Sequence, residues 1–261
     1  MRRLFDRLFA TTPEPIPPAL WQAVRGRVPW IPPLDGAREA RLRALAARFL
    51  HDKTITPVAG LALDGTQRTI LAALCCLPLI EFGTEGLHGW SELIVYPDAF
   101  RTQHDHVDAA GVLHRSDQEL IGESWDRGPL ILSWGDIEGE LDAPDGGFCV
   151  AVHEMAHKLD ALDGLLDGTP PLPRDWQREW ARDFQSAYDR FVAEVDGGND
   201  TAIDPYAAEA PDEFFAVCSE YHFSDPATLQ RDLPDVARHL ARFYGPSPFA
   251  ARRPRELPPA T

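Results

Sequence analysis

The chain has 261 residues, 44% hydrophobic and 25% charged, ordinary globular proportions that exclude a disordered or fibrous protein. Twenty-five basic against 41 acidic residues leave a net charge of −16, a surface that repels phosphate and argues against nucleic acid as a direct partner. No apolar run approaches the ~20 residues that span a bilayer, and the basic start MRRLFDRLFA is broken by Asp6 and Arg7, so a cytoplasmic protein without signal peptide or membrane partner is expected.

Residues 1–35 form a proline-rich N-terminal segment: a short amphipathic piece, then TTPEPIPPAL and PWIPPLDG, whose prolines predict extended chain rather than helix. A second Pro- and Arg-rich stretch, 246–261, forms the tail, leaving 36–245 as the folded domain. Residues 36–50 place Leu42, Leu45, Ala46 and Phe49 on one helical stripe, and 67–80 are apolar almost all round, predicting a buried helix that ends near Pro78. Between 92 and 134 the texture becomes β-prone in ELIVYP, GVLHR, ELIGESW and PLILSW. The last of these, Pro129 to Trp134, predicts a strand leading into a loop, GDIEGELDAPDGG; an extended peptide could pair with it if it lies at a sheet edge.

Helical periodicity returns in FCVAVHEMAHKLDALDG, where Phe148, Val152, Met155, Ala156, Leu159 and Leu162 make an apolar surface and Gly164 a C-cap. A long polar helix (WQREWARDFQSAYDRFVAEV), the helical PDEFFAVCSEYHF and a final helix around DVARHLARFY complete the order. Helices on both sides of a small block of strands define an α+β fold. Cys75, Cys76, Cys149 and Cys218 lie in apolar stretches without CxxC spacing and read as buried thiols.

The chemistry concentrates in His153-Glu154-Met155-Ala156-His157. Residues four apart share a helix face, so both imidazoles can reach one metal ion at ~2.0–2.1 Å. Glu154, beside the first histidine, can take a proton from water and pass it to a leaving amine. Chance predicts only about 0.02 such pentads in a chain of this composition, so the motif is specific. A catalytic zinc needs a third protein ligand and an open position. Spacing leaves Glu209, Glu213, Glu220, His222, Asp160 and Asp163 as candidates, with Asp160 better placed to hold a histidine Nδ1 and Glu220 to support the site. His104 and His106, flanking Asp105, could share a strand face and hold a second metal, although a solvated acidic loop is the plainer reading. Trp134 could line a specificity pocket.

VHEMAHKLDALDG, followed some fifty residues later by IDPYAAEAPDEFFAVCSEYHFSDP, resembles the Mlc titration factor A family of zinc metallopeptidases, as do GESWDRGPLILSWGDI and LIVYPDAF, over about residues 40–245. The resemblance implies a zincin-like domain related to the catalytic domain of anthrax lethal factor, a small mixed β-sheet flanked by helices. It implies one Zn2+ per chain held by His153, His157 and Glu213, with Glu154 as the base and Tyr206 placed to stabilise the oxyanion. It further implies a cytoplasmic aminopeptidase acting on peptide substrates and binding an Mlc-type transcription repressor, and a monomer is expected. One alternative is a regulatory protein that sequesters a repressor, its acidic surface imitating DNA, with latent peptidase activity. Another is a domain held by structural zinc, which the cysteine placement disfavours.

Overall fold

The computed structural model describes residues 12–98, 128–144 and 146–250. The order is α1 (Pro18–Arg27), α2 (Gly36–Asp52), β1 (Thr54–Pro57), α3 (Gly65–Cys76), β2 (Glu92–Tyr96), β3 (Leu130–Ser133), α4 (Trp134–Asp142), α5 (Val150–Asp160), α6 (Arg174–Asp196), α7 (Pro211–Ser224), α8 (Pro226–Asp232) and α9 (Pro234–Tyr244). Helices thus dominate a small sheet, as an α+β fold requires. The sheet order is β1-β2-β3, with Ile55 beside Leu93 and Leu93 beside Leu130.

A mixed sheet was expected, but the three described strands are all parallel. The physical reason is connectivity: β1 returns to β2 through α3, a crossover that brings the chain back in the same direction. β3 has β2 as its one neighbour among the described residues, which puts it at that end of the ladder. The expected strands GVLHR and ELIGESW, and the histidines His104 and His106, lie outside the described residues.

The proline-rich segment departs from its expected extended form over α1. Pro18 sits in the first turn, where its missing N–H costs nothing and its fixed φ suits a helix, and Trp21 and Val24 give the helix a buried face. Beyond it Val28, Trp30, Ile31 and Leu34 are buried, and the Trp30 indole donates to the Phe223 carbonyl at 2.9 Å. These residues belong to the same apolar core as α3, α5, α7 and Phe249.

A second departure is α4, where a loop was expected. Ser133 caps it by accepting from the Asp136 N–H at 3.1 Å, and Trp134, Ile137 and Leu141 turn one face into the core. Trp134 is therefore a core residue. The short α8 was also not foreseen; Asp225 caps its start through the Thr228 N–H. The other expected helices hold, with the buried run of α3 passing into a 3-10 turn, Leu77–Leu79, at Pro78. All four cysteines are free and buried, and no helix among the described residues is long and apolar enough to cross a membrane.

Candidate metal centre

α5 and α7 pack against each other and carry the two halves of the centre. Val152, Met155, Ala156 and Leu159 are fully buried, which anchors α5 and turns His153 and His157 toward α7. Phe148, expected on that apolar face, is instead half exposed just before the helix. On α7, Phe214 and Phe215 pack into the aromatic core and orient Glu213, which lies in the first turn. The α5 cap is the expected one: a 3-10 turn, Ala161–Asp163, ends at Gly164 with φ +93°.

One ligand atom from each of His153, His157 and Glu213 lies within 4.8 Å of the other two. The two Nε2 atoms are 3.2 Å apart, and Glu213 Oε2 is 3.2 Å from one and 3.5 Å from the other. Yet Glu213 Oε2 is buried and in hydrogen-bond geometry with neither. Buried carboxylate oxygens are rarely left so. Two imidazoles and a carboxylate match the donor set of catalytic zinc, and an ion among them would satisfy this atom. Burial pushes the Glu213 carboxyl up, but the two imidazoles pull it well below the usual carboxylate range. Burial likewise opposes charge on His153, and Glu213 and Glu220 outweigh it, raising its pKa well above that of a free imidazole.

Glu220, foreseen as a supporting residue, holds His153 from behind: its Oε1 is 2.8 Å from Nδ1. Its Oε2 accepts the Cys149 N–H at 2.7 Å, so one carboxylate fixes both the imidazole and the start of α5. Asp160 does not take the expected place on a histidine Nδ1. It is fully buried and accepts the Gly168 N–H at 2.8 Å, because the loop after α5 folds back over it, and burial pushes its carboxyl up to about 7. Asp212 approaches His157 Nδ1 only to 3.9 Å. The remaining third-ligand candidates fall away from the cluster: Glu209 and Asp163 are exposed, and Asp163 accepts from the Leu165 N–H. His222 is buried against Phe223 and Tyr244, and burial drives its pKa down to about 3.

Tyr206 lies in the 3-10 turn Pro205–Ala208 that precedes α7, with its ring 6.3 Å from that of His153. Burial and then the Glu213 carboxylate hold its phenol well above the ordinary tyrosine range, so it stays a proton donor. Glu154 is half-buried beside His153, and its charge adds to the upward shift of Tyr206. Glu140, which sequence reasoning passed over, accepts the Val150 N–H at 2.8 Å and so completes the cap of α5 with Glu220. Burial pushes its carboxyl up to about 8. The apolar spacing Trp134, Ile137, Leu141 was the available signal, since it makes this stretch a helix that ends beside α5.

A helix-borne HExxH pentad with a carboxylate from a neighbouring helix is the arrangement of a metallopeptidase. A family model of the glucose-regulated metallo-peptidase M90 matches residues 2–245, and the chain belongs to that family. The match starts well before residue 40, where the motif likeness begins, so the proline-rich segment is part of the family pattern. Mlc titration factor A of Serratia proteamaculans (strain 568) is 36% identical over 235 residues, 89% of this chain and 88% of the relative. Proteins of the same description from Yersinia pestis (strain Pestoides F) and Yersinia pseudotuberculosis serotype O:1b are each 37% identical over 226 residues, 85% of this chain and 83% of theirs.

Proposed function

We propose that the protein is a zinc-dependent peptidase of aminopeptidase type, with a zincin-like catalytic domain over residues 36–245 and one Zn2+ held by His153, His157 and Glu213. The observation that carries this reading is the convergence of those three ligand atoms beside Glu154. Zinc bound there would polarise a peptide carbonyl and bring the acidity of water into the neutral range. Glu154 takes the proton of the attacking water and returns it to the leaving amine. Tyr206 donates its phenolic hydrogen bond to the oxygen on which negative charge develops, a contribution of ~2.7–4 kcal/mol for one preorganised donor. Glu220 keeps His153 in the tautomer whose Nε2 lone pair faces the cluster, because Nδ1–H donates to the carboxylate. The test is Glu154→Gln: zinc content by elemental analysis stays at one per chain while hydrolysis of amino-acid nitroanilides falls by ~10²–10⁴-fold. Full activity in that variant defeats the assignment.

The name shared by the relatives supports a second activity, the binding of an Mlc-type repressor; a monomer working in the cytoplasm is part of the same proposal. A charge of −16 suits a basic DNA-binding partner. Capture of such a repressor by Glu154→Gln at wild-type strength would separate binding from catalysis.

A further inference from the structure

We propose that Tyr221 is a positioning residue for the peptidase reaction, its phenol setting where the Tyr206 side chain stands. This rests on the role given to Tyr206 above. Tyr221 is buried on α7, two turns beyond Glu213. Its Oη donates to the Ala202 carbonyl at 2.9 Å. The phenol thus ties down the backbone of the short segment that runs into Tyr206. Within that segment Asp204 Oδ1 accepts the Tyr206 N–H at 2.9 Å, and Ile203 is buried between Ala202 and Asp204. The Tyr188 hydroxyl holds the far side of the turn through the Ala208 carbonyl at 3.1 Å.

The ring of Tyr221 is itself held. Gly147 runs under it with φ +85°, and a Cβ at that position would fall 2.9 Å from Tyr221 Cζ, so only glycine lets the turn before α5 lie so close. One side chain therefore touches the approach to the histidine helix, belongs to the helix of Glu213 and grips the segment of Tyr206. The distance between a donor and a developing oxyanion is set by this kind of contact, and a misplacement of about 1 Å costs up to ~10²-fold in rate.

The experiment is a double-mutant cycle in the zinc-loaded, full-length enzyme. Tyr221→Phe keeps the ring against Gly147 and deletes only the oxygen that holds the Ala202 carbonyl. We expect kcat to fall about tenfold, with KM and zinc content unchanged. Tyr206→Phe alone should lower kcat by ~10²-fold or more. In the Tyr206→Phe background, Tyr221→Phe should cost nothing further, because its target is already gone. A purely structural tyrosine would lower the melting temperature and the rate by the same factor in both backgrounds, and that result overturns the proposal. So does wild-type kcat in Tyr221→Phe where Tyr206→Phe is impaired. Wild-type kcat in Tyr206→Phe would instead remove the oxyanion role of Tyr206, and the present inference with it.

Discussion

The molecule holds histidine against carboxylate in two places, and they are built to opposite ends. Between α6 and α9, Asp183 accepts from Arg182 at 2.7 and 3.1 Å, from Arg238 at 3.0 Å and from His239 Nε2 at 2.8 Å. Trp180 stacks on Phe184 with ring centres 4.2 Å apart and tilts against His239, so aromatic packing covers the buried His239 side of the cluster while the two arginines lie at the surface. Both carboxylate oxygens there have donors. Between α5 and α7, Glu213 Oε2 meets two imidazole nitrogens without a hydrogen bond to either. A polar cluster whose bonds close among themselves joins helices; one whose lone pairs converge unanswered is set for a ligand.

That contrast can be broken most severely at Glu213. Glu213→Ala should lower zinc affinity by more than ~100-fold, beyond the 10–100-fold that loss of a residue supporting a ligand costs. Competition with a chelator measures it, with Glu220→Gln falling inside that lower range. The mirror change, Asp183→Ala, should leave zinc affinity untouched and lower stability by about 1–3 kcal/mol in urea unfolding, since it strands the buried His239 nitrogen. Its pH dependence follows from the Arg182 and His239 contacts, which hold the Asp183 carboxyl down at about 2. A depressed carboxylate stabilises fully above its unfolded value near 4, and the contribution drains away as pH falls from about 4 to about 2. Wild type and variant should therefore converge in that window.

The mildest change sharpens the comparison at Glu140. Its carboxyl is raised to about 8, so the folded protein keeps it neutral where the unfolded chain has already ionised. For a raised acid the sign reverses: the cost is absent below about pH 4, grows as pH rises and is complete above about 8. Glu140→Gln retains an acceptor for the Val150 N–H and should stabilise the protein at pH 8.5, with no gain at pH 4.5. Thermal unfolding across that range reads the difference, and a gain independent of pH would refute it.

What was legible in the chain follows the reach of each interaction. His153 and His157 are four apart, so their common direction follows from helix geometry alone. Glu213 is far along the chain, and spacing could not separate it from Glu209 or His222; a motif likeness singled it out, and packing brought it to the histidines. Asp160 shows the limit of face arithmetic. Its position beside His157 was right, but the loop to Gly168 reached its oxygen first, and nothing local announces where a loop returns. α4 was missed because Gly135, Gly139 and its acids spell a loop, while Trp134, Ile137 and Leu141 form a helix once a core exists to receive them. α1 was hidden by prolines that start a helix as readily as they prevent one.

Trp30 docks on the carbonyl of Phe223, ten residues and so about 15 Å along α7 from Glu213. The tryptophan therefore serves as a keel on the hull side of the helix whose prow carries the carboxylate. The proline stretch around it is thereby part of the packed frame of the fold, fastened at the far end of that helix from the ligand cluster.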